Sequence, residues 1–271
     1  MNFDGNLNMF RKLCWQVTAG VVLTAMLHTP AASAADALQT IASSGVVRIG
    51  VFQDYPPFGS VGTDMKPRGF DVDFGTIIAK GLGAKVEFVP VNGSNRIAFL
   101  TNRKVDMLMS VGKTPERDKT LDFTASYAPY YIAVFGPASM VVKQPADLSG
   151  KKIATAGNTN EDVQLTKVAP PTASIKRFDD QNGAISAYLA GQADLISLGG
   201  IVASSLRASN PNVKLEEKFK LMVSNMHLAL NKGDTSLQQK IDLITAQALK
   251  DGSLNRISLQ WLGEALPATL D

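Results

Sequence analysis

Cysteine is almost missing from this chain of 271 residues: Cys14 is the only one, and His28 and His227 are the only histidines. One thiol excludes an internal disulfide and a cysteine-rich zinc site, and two distant histidines supply no His-x-Glu-x-x-His motif. No Gly-x-Ser-x-Gly elbow lies near His227. Charge is equally unhelpful. The formal net charge of +3, spread without blocks of one sign, gives no argument for nucleic acid or an anionic membrane. Internal repeats, low-complexity tracts and long linkers are also lacking.

The chain contains one apolar run, Leu13 to Leu27. It follows Arg11 and Lys12 and gives way to the small residues of His28-Thr-Pro-Ala-Ala-Ser-Ala34. At about 15 residues it falls short of the roughly 20 needed to span a bilayer, and Gln16, Thr18 and Thr24 interrupt it. This is the layout of a cleavable secretory signal, with Ala32 and Ala34 satisfying the small-x-small rule and cleavage expected after Ala34. The pattern predicts a signal peptide over 1–34, with Met9 as an alternative start. Cys14 lies too early in the run to be a lipoprotein cysteine. Both Cys14 and His28 would leave with the signal, so the mature chain would have no thiol and a charge of +2. No stable membrane insertion is expected. The remaining 237 residues suit one large domain or two of about 100–150.

From residue 46 the chain alternates strand and helix. Val46–Val51 is a β-branched run. Phe70–Leu82 sets Phe74, Ile77, Ile78 and Leu82 on one helical face, and Gly83 ends it. Lys85–Val91 alternates as a strand, Ser94 is placed to cap a helix bearing Ile97, Phe99 and Leu100, and Met107–Val111 is a buried strand. The pattern restarts after the Leu148-Ser-Gly150 turn. Strands are expected at 152–156, 175–178 and 193–198, and helices from 157–162 onward, at 181–190 and at 202–208. Strands separated by short helices imply parallel βαβ units, here in two successive lobes. Lys220–Asn231 is extended and long enough to cross between them. Asp234–Lys250 is predicted as an amphipathic helix turning Leu237, Ile241, Ile244 and Leu249 inward, with Gly252 as its C-cap and a short helix ending at Trp261. Asp71 and Asp73, beside Phe70, read as capping acids rather than a metal pair.

Residues 106–131 organise the rest. The strand at 107–111 empties through Gly112 into Thr114-Pro-Glu-Arg117, where Thr114 suits an N-cap and Pro115 the first helical position. Arg117 would then stand beside free backbone N–H groups, a combination that receives carboxylate or phosphate. Val111-Gly-Lys-Thr114 imitates the end of a P-loop, but Met107 occupies the place of the required first glycine, which excludes nucleotide binding.

Ordered pieces across nearly all of the mature chain carry a resemblance. They are Asp54-Tyr-Pro-Pro-Phe58, Gly69-Phe-Asp-Val-Asp73, Val105-Asp106, Thr114-Pro-Glu-Arg117, Asp122-Phe123, Leu148-Ser-Gly-Lys151, Gly191-Gln-Ala-Asp194 and Asp251-Gly-Ser-Leu254 before Trp261. The chain resembles the amino-acid type of periplasmic solute-binding protein (family 3), the soluble receptors of ABC importers. The resemblance implies an α/β Venus-flytrap of periplasmic binding protein type II: two Rossmann-like α/β lobes joined by two crossover strands. Lobe 1 would take 35–132 plus 226–271 and lobe 2 136–222, with a hinge near 133–135 and 223–225. It further implies a small carboxylate-bearing solute, foremost an amino acid, and an ABC permease as partner. No cofactor, metal or nucleic acid is implied, and the protein would be a periplasmic monomer. Arg117 would grip the ligand carboxylate, with Asn158 and Thr159 holding it from the other lobe. Tyr55 and Phe58 would be aromatic walls, and Ser110 would add backbone or hydroxyl contacts.

Two departures from the family pattern stand out. The aspartate that usually meets the ligand's α-ammonium, five residues past the Gly-x-x-Asp aspartate, is here Gly199. The small hydroxyl residue usually five before the arginine is Gly112, in a loop one residue short. A buried ammonium without a carboxylate is costly. So another acid (Glu161, Asp162 or Asp54) replaces it, or the ligand has no ammonium, or Gly199 and Gly200 make room for a larger ligand. An enzyme alternative is a periplasmic cyclohexadienyl dehydratase, with Glu161 of Thr159-Asn-Glu161 as general acid; a first-turn acid complementing the helix dipole is the commoner role for such a glutamate. A sensory binding domain would carry the same sequence features.

Overall fold

The computed structural model describes residues 36–267, 269 and 270, so the signal peptide expected over 1–34, with Cys14 and His28, lies outside the described residues. A helix not expected from sequence, α1 (Ala37–Ser44), comes first, capped by the Asp36 side chain and closed by Gly45 at φ 67°. It leads into β1 (Val46–Phe52). The Asp54–Phe58 loop is folded into a small antiparallel sheet of β2 (Asp54–Tyr55), β3 (Gly59–Val61) and β4 (Pro67–Arg68). Then follow α2 (Phe70–Leu82), β5 (Lys85–Val91), α3 (Arg96–Thr101), β6 (Met107–Gly112) and β7 (Leu121–Phe123). The second series is β8 (Tyr131–Gly136), β9 (Lys152–Ala156), α4 (Asn160–Val168), β10 (Ser174–Phe178), α5 (Gln181–Leu189), β11 (Leu195–Gly199), α6 (Gly200–Ser209) and β12 (Glu216–Val223). The chain closes with β13 (Met226–Asn231), α7 (Thr235–Lys250) and α8 (Ser253–Trp261).

These strands form two five-stranded sheets, ordered β5-β1-β6-β13-β7 and β10-β9-β11-β8-β12. Each has a parallel three-strand part built by βαβ units and an antiparallel edge pair. The two lobes read from the alternation are these two sheets with their helices. The extended run at 220–231 is split between them: β12 pairs with β8 in the second sheet, and β13 pairs with β6 and β7 in the first. Side by side with the Ser224–Asn225 step runs Ala128–Tyr130, joined to it by Ser224 N–H to the Tyr130 carbonyl at 3.0 Å and Met226 N–H to the Ala128 carbonyl at 2.8 Å. Residues 133–135 lie within β8, inside the second sheet.

The central strand β6 is buried along its whole length. Met107 and Met109 face the larger core with Phe58, Phe70, Phe74 and Tyr127, while Leu108 and Val111 face a second cluster with Leu100, Leu121 and Phe123. Helices α2, α7 and α8 pack on one another over the first sheet.

Several local expectations are corrected. Thr114 and Pro115 do not start an α-helix. Only a single 3-10 turn forms, at Arg117–Lys119, because Leu121 is already drawn into β7; Thr114 Oγ1 still accepts the Arg117 N–H at 3.3 Å. The helix expected after Ser94 begins at Arg96, and it is Asn92 Oδ1 that accepts the N–H groups of Ser94 and Asn95. In α7, Leu249 is 41 % exposed and Ala248 is buried instead. Seven residues from Ile241 return almost to the same side of a 3.6-residue helix, whereas eight overshoot by most of a quarter turn. Gly252, at φ 75°, bonds back to the Leu249 carbonyl but also opens α8, so the two helices share one corner. Asp71 is 1 % exposed and bonded to other side chains rather than capping α2, and Asp73 accepts the Trp261 indole N–H at 2.7 Å. Among the described residues no helix is long and apolar enough to cross a membrane.

Candidate ligand-binding cleft

Between the two sheets lies a narrow cleft nearly filled by its own lining side chains, with a remaining cavity of about 20 Å³. The first lobe contributes Phe52, Asp54, Tyr55, Arg96, Ser110 and Gly112 to its lining. The second contributes Ala156, Thr159, Asn160, Glu161, Asp180 and Gln181, and Tyr130 stands at the crossing. The C-terminal ends of parallel strands open here, as in open α/β sheets generally. The N-termini of α4 and α5 point into the same space, so each offers N–H groups that lack an intrahelical partner.

The two lobes are in contact. Tyr55 Oη donates to Glu161 Oε1 at 2.6 Å, Asn158 Nδ2 to Ser94 Oγ at 3.2 Å, and Asn160 Nδ2 to the Gly112 carbonyl at 3.4 Å. The Gln181 N–H donates to Asp54 Oδ2 at 2.5 Å, and Lys167 pairs with Glu116 at 3.2 Å. Gly93 and Gly112 permit this approach, since a Cβ at Gly93 would run into the Gly157 carbonyl oxygen and one at Gly112 into the Asn160 amide.

Of the residues nominated from sequence, Tyr55, Ser110, Thr159 and Glu161 line the cleft. Thr159 caps α4, accepting the Asp162 N–H at 3.3 Å and donating to the Ala156 carbonyl at 2.8 Å. Asn158, at φ 60°, is turned to the lobe contact with Ser94. Phe58 is fully buried beneath Tyr55, ring centroids 6.0 Å apart, and is not part of the lining. Arg117 also stands just outside the lining, with Nη1 donating to the Gly112 carbonyl at 3.1 Å. Its guanidinium is pushed down to about 9, first by burial and then by the positive charge of Arg96, partly offset by Glu161 and Glu116. It remains protonated at neutral pH.

Arg96 was not legible as a site residue. It is 3 % exposed, lies over the Phe52 ring at 5.0 Å, and donates from Nη1 to the Ser110 carbonyl at 3.2 Å, while Nε has no partner among the described residues. Burial lowers its pKa, and Glu161 and Tyr55 oppose that. One signal was present: an arginine in the first turn of a helix opposes the macrodipole, an arrangement that needs a reason. Ser110, whose carbonyl holds Arg96, has φ 53°, and three contacts fix it there. Its Oγ donates to Asp71 Oδ2 at 2.6 Å, its N–H donates to Tyr127 Oη at 2.8 Å, and Tyr127 Oη donates to Asp71 Oδ1 at 2.8 Å.

Glu161 is 4 % exposed, and its Oε1 accepts from both Tyr55 and Tyr130, the latter at 2.7 Å; the two hydroxyls also contact each other. Burial and the Glu161 charge raise the Tyr55 pKa well above its ordinary value, so Tyr55 is a neutral donor.

Two α/β lobes joined by paired crossings thus face one cleft, with Arg96 and two helix N-termini on its walls. Residues 47–264 match the bacterial extracellular solute-binding proteins, family 3, and the chain belongs to that family. It is 27 % identical to the L-cystine-binding protein TcyJ of Escherichia coli, over 83 % of this chain and 86 % of that one. The solved solute receptor for L-cysteine of Neisseria gonorrhoeae has a TM-score of 0.77 at 29 % identity, covering 83 % and 93 % of the two chains. An ancestral amino acid-binding protein described as a precursor of cyclohexadienyl dehydratase has a TM-score of 0.76 at 27 % identity, covering 83 % and 99 %.

Proposed function

We propose that this chain is the receptor of an amino-acid ABC importer. It would capture a small carboxylate-bearing solute, foremost an amino acid, between its lobes in the periplasm and present it to a permease, after export on a signal peptide over 1–34. The names of its relatives, for cystine and cysteine, support the ligand class. The observation that carries the reading is the meeting of Arg96 and Arg117 from one lobe with the N-terminus of α4 from the other. Among the described residues neither arginine is in an ion pair, so both are poised for a ligand carboxylate. Arg117 and the Thr159–Asn160 end of α4 would share that carboxylate, and only the closed form makes both contacts, so binding favours closure. Closure would turn on the Ala128–Tyr130 and Ser224–Asn225 crossings, with the lobes dividing there.

The test is thermal melting of the purified protein against the common amino acids, betaines, keto acids, dicarboxylates and prephenate. A ligand at a hundred times its Kd adds about 2.7 kcal/mol, which is roughly a 5–10 °C rise for a chain of this size. Absence of any shift across the amino acids would overturn the proposal. A dehydratase would use Glu161 as a proton donor, whereas two tyrosine hydroxyls donate to it here. Consumption of prephenate, followed by absorbance, would reverse that preference.

A further inference from the structure

We propose that Glu161 selects the ligand class by receiving an α-ammonium group, with the hydroxyls of Tyr55 and Tyr130 completing the acceptor set. This rests on the amino-acid reading above and goes beyond it by naming the residue that separates amino acids from other carboxylates.

The other acids at the cleft are already committed. Asp162 accepts from Arg177 Nε at 2.9 Å, Thr166 Oγ1 at 3.1 Å and the Asn158 N–H at 3.1 Å. Asp54 accepts the Gln181 N–H across the lobes, and Asp180 caps α5 through the Gly183 N–H at 2.8 Å. Glu161 is different. Its only recorded donors are the two tyrosine hydroxyls, both on Oε1, and no bond to Oε2 is seen among the described residues. A nearly buried carboxylate with one oxygen open toward a cleft lacks part of its hydrogen bonding, and a cationic N–H group supplies what it lacks. An ammonium has three donors. Glu161 Oε2 and the lone pairs of the two hydroxyl oxygens, which crowd around Oε1, are three acceptors at one place.

Position 199 cannot supply the acid. A Cβ on Gly199 would run into the Tyr130 ring and hydroxyl, and one on Gly200 into the Tyr131 ring. The tyrosine that fills the space over Gly199 is the one that reaches Glu161, so the side chain occupying this corner comes from the crossing and the charge comes from α4. The charge balance agrees. Asp54, Glu161 and Asp180 among the lining residues oppose Arg96 and the adjacent Arg117, so the cleft is not simply electropositive and is matched to a ligand carrying both signs.

The experiment is calorimetric titration of the wild type, Glu161→Gln and Arg117→Ala with matched probes. These are L-arginine, L-glutamine and L-cysteine, each beside the acid that lacks only the α-amino group. In the wild type one amino acid binds at least 100-fold tighter than its deaminated partner. Glu161→Gln loses at least 100-fold for the amino acid and changes the deaminated acid less than threefold, whereas Arg117→Ala weakens both. Equal wild-type affinity for the two members of a pair, which needs no variant to fold, overturns the role of Glu161 and leaves the carboxylate receptor standing. So does a folded Glu161→Gln protein with unchanged amino-acid affinity. No binding of any probe overturns both.

Discussion

The Ser110 hydroxyl donates to the buried Asp71 carboxylate at 2.6 Å, and this contact holds a residue of β6 at φ 53° with its carbonyl turned to Arg96. Asp71 therefore acts on the cleft from outside it. Burial raises its carboxyl from 3.8 to about 7, against the opposing bonds from Ser110 and Tyr127. The folded state therefore holds a proton on Asp71 between pH 4 and 7 that the unfolded chain has released, so this group lowers stability as pH rises through that window. At about 1.4 kcal/mol per pKa unit the full effect is on the order of 4 kcal/mol. Urea unfolding of the wild type and Asp71→Asn at pH 4.5 and 7.5 checks this. The variant should gain relative to the wild type as pH rises, and a pH-independent difference would refute the assignment.

Tyr127→Phe removes the hydroxyl that accepts the Ser110 N–H and donates to Asp71. Both partners are buried, so the expected cost is about 1–3 kcal/mol. Denaturant midpoints measure it, and ligand affinity should fall as well, because Ser110 loses two of its constraints.

Arg117→Ala should weaken ligand binding at least 100-fold without lowering the melting temperature of the unliganded protein. The guanidinium is desolvated beside Arg96, and the charges of Glu161 and Glu116 offset this only in part, so its removal relieves repulsion. Calorimetry and melting, run on the same sample, separate the two effects. Unchanged affinity would move the site away from Arg117.

Gly93→Ala tests closure. The added methyl would meet the Gly157 carbonyl and the Thr159 methyl of the opposite lobe. Ligand affinity should drop at least tenfold while unliganded stability changes by less than about 1 kcal/mol, because only the closed state is penalised. Small-angle scattering should show no contraction on adding ligand.

Glu116→Gln removes the ion pair with Lys167, in which the side chains are 62 % and 48 % exposed. Such a pair is worth about 0–1 kcal/mol and is screened by salt. Affinity should therefore change less than about fivefold, and less again at high ionic strength.

Chain order and local pattern made much of the architecture legible. The β-branched and apolar runs, spaced by helical periodicity, are decided by contacts within a few residues, which is why β1, α2, β5, β6, β9, β10, α5, β11 and α6 were found near their observed bounds, whereas β8, an antiparallel strand placed by its partners β11 and β12, was not expected. The extended segment before α7 was long enough to reveal a crossing. What local pattern could not reveal was partnership. Leu249 and Ala248 differ by one step in a helix, and only the body packed against α7 decides which is buried. Thr114-Pro115 has the grammar of a helix start, but the pull of β7 into a sheet with β13 leaves room for one turn.

The sequence by itself determined the succession of elements, the two-lobe plan and the nomination of Arg117, because these depend on near neighbours and on ordered motifs. Only the tertiary structure decided which side chains meet at the cleft. Glu161, Tyr55 and Tyr130 are separated by 31 to 106 residues and converge on one oxygen. Tyr130 occupies the space over Gly199, and Arg96 reaches the cleft because Asp71 fixes Ser110. Charge and volume at a site are shared among segments that meet only after folding, and no spacing along the chain records that meeting.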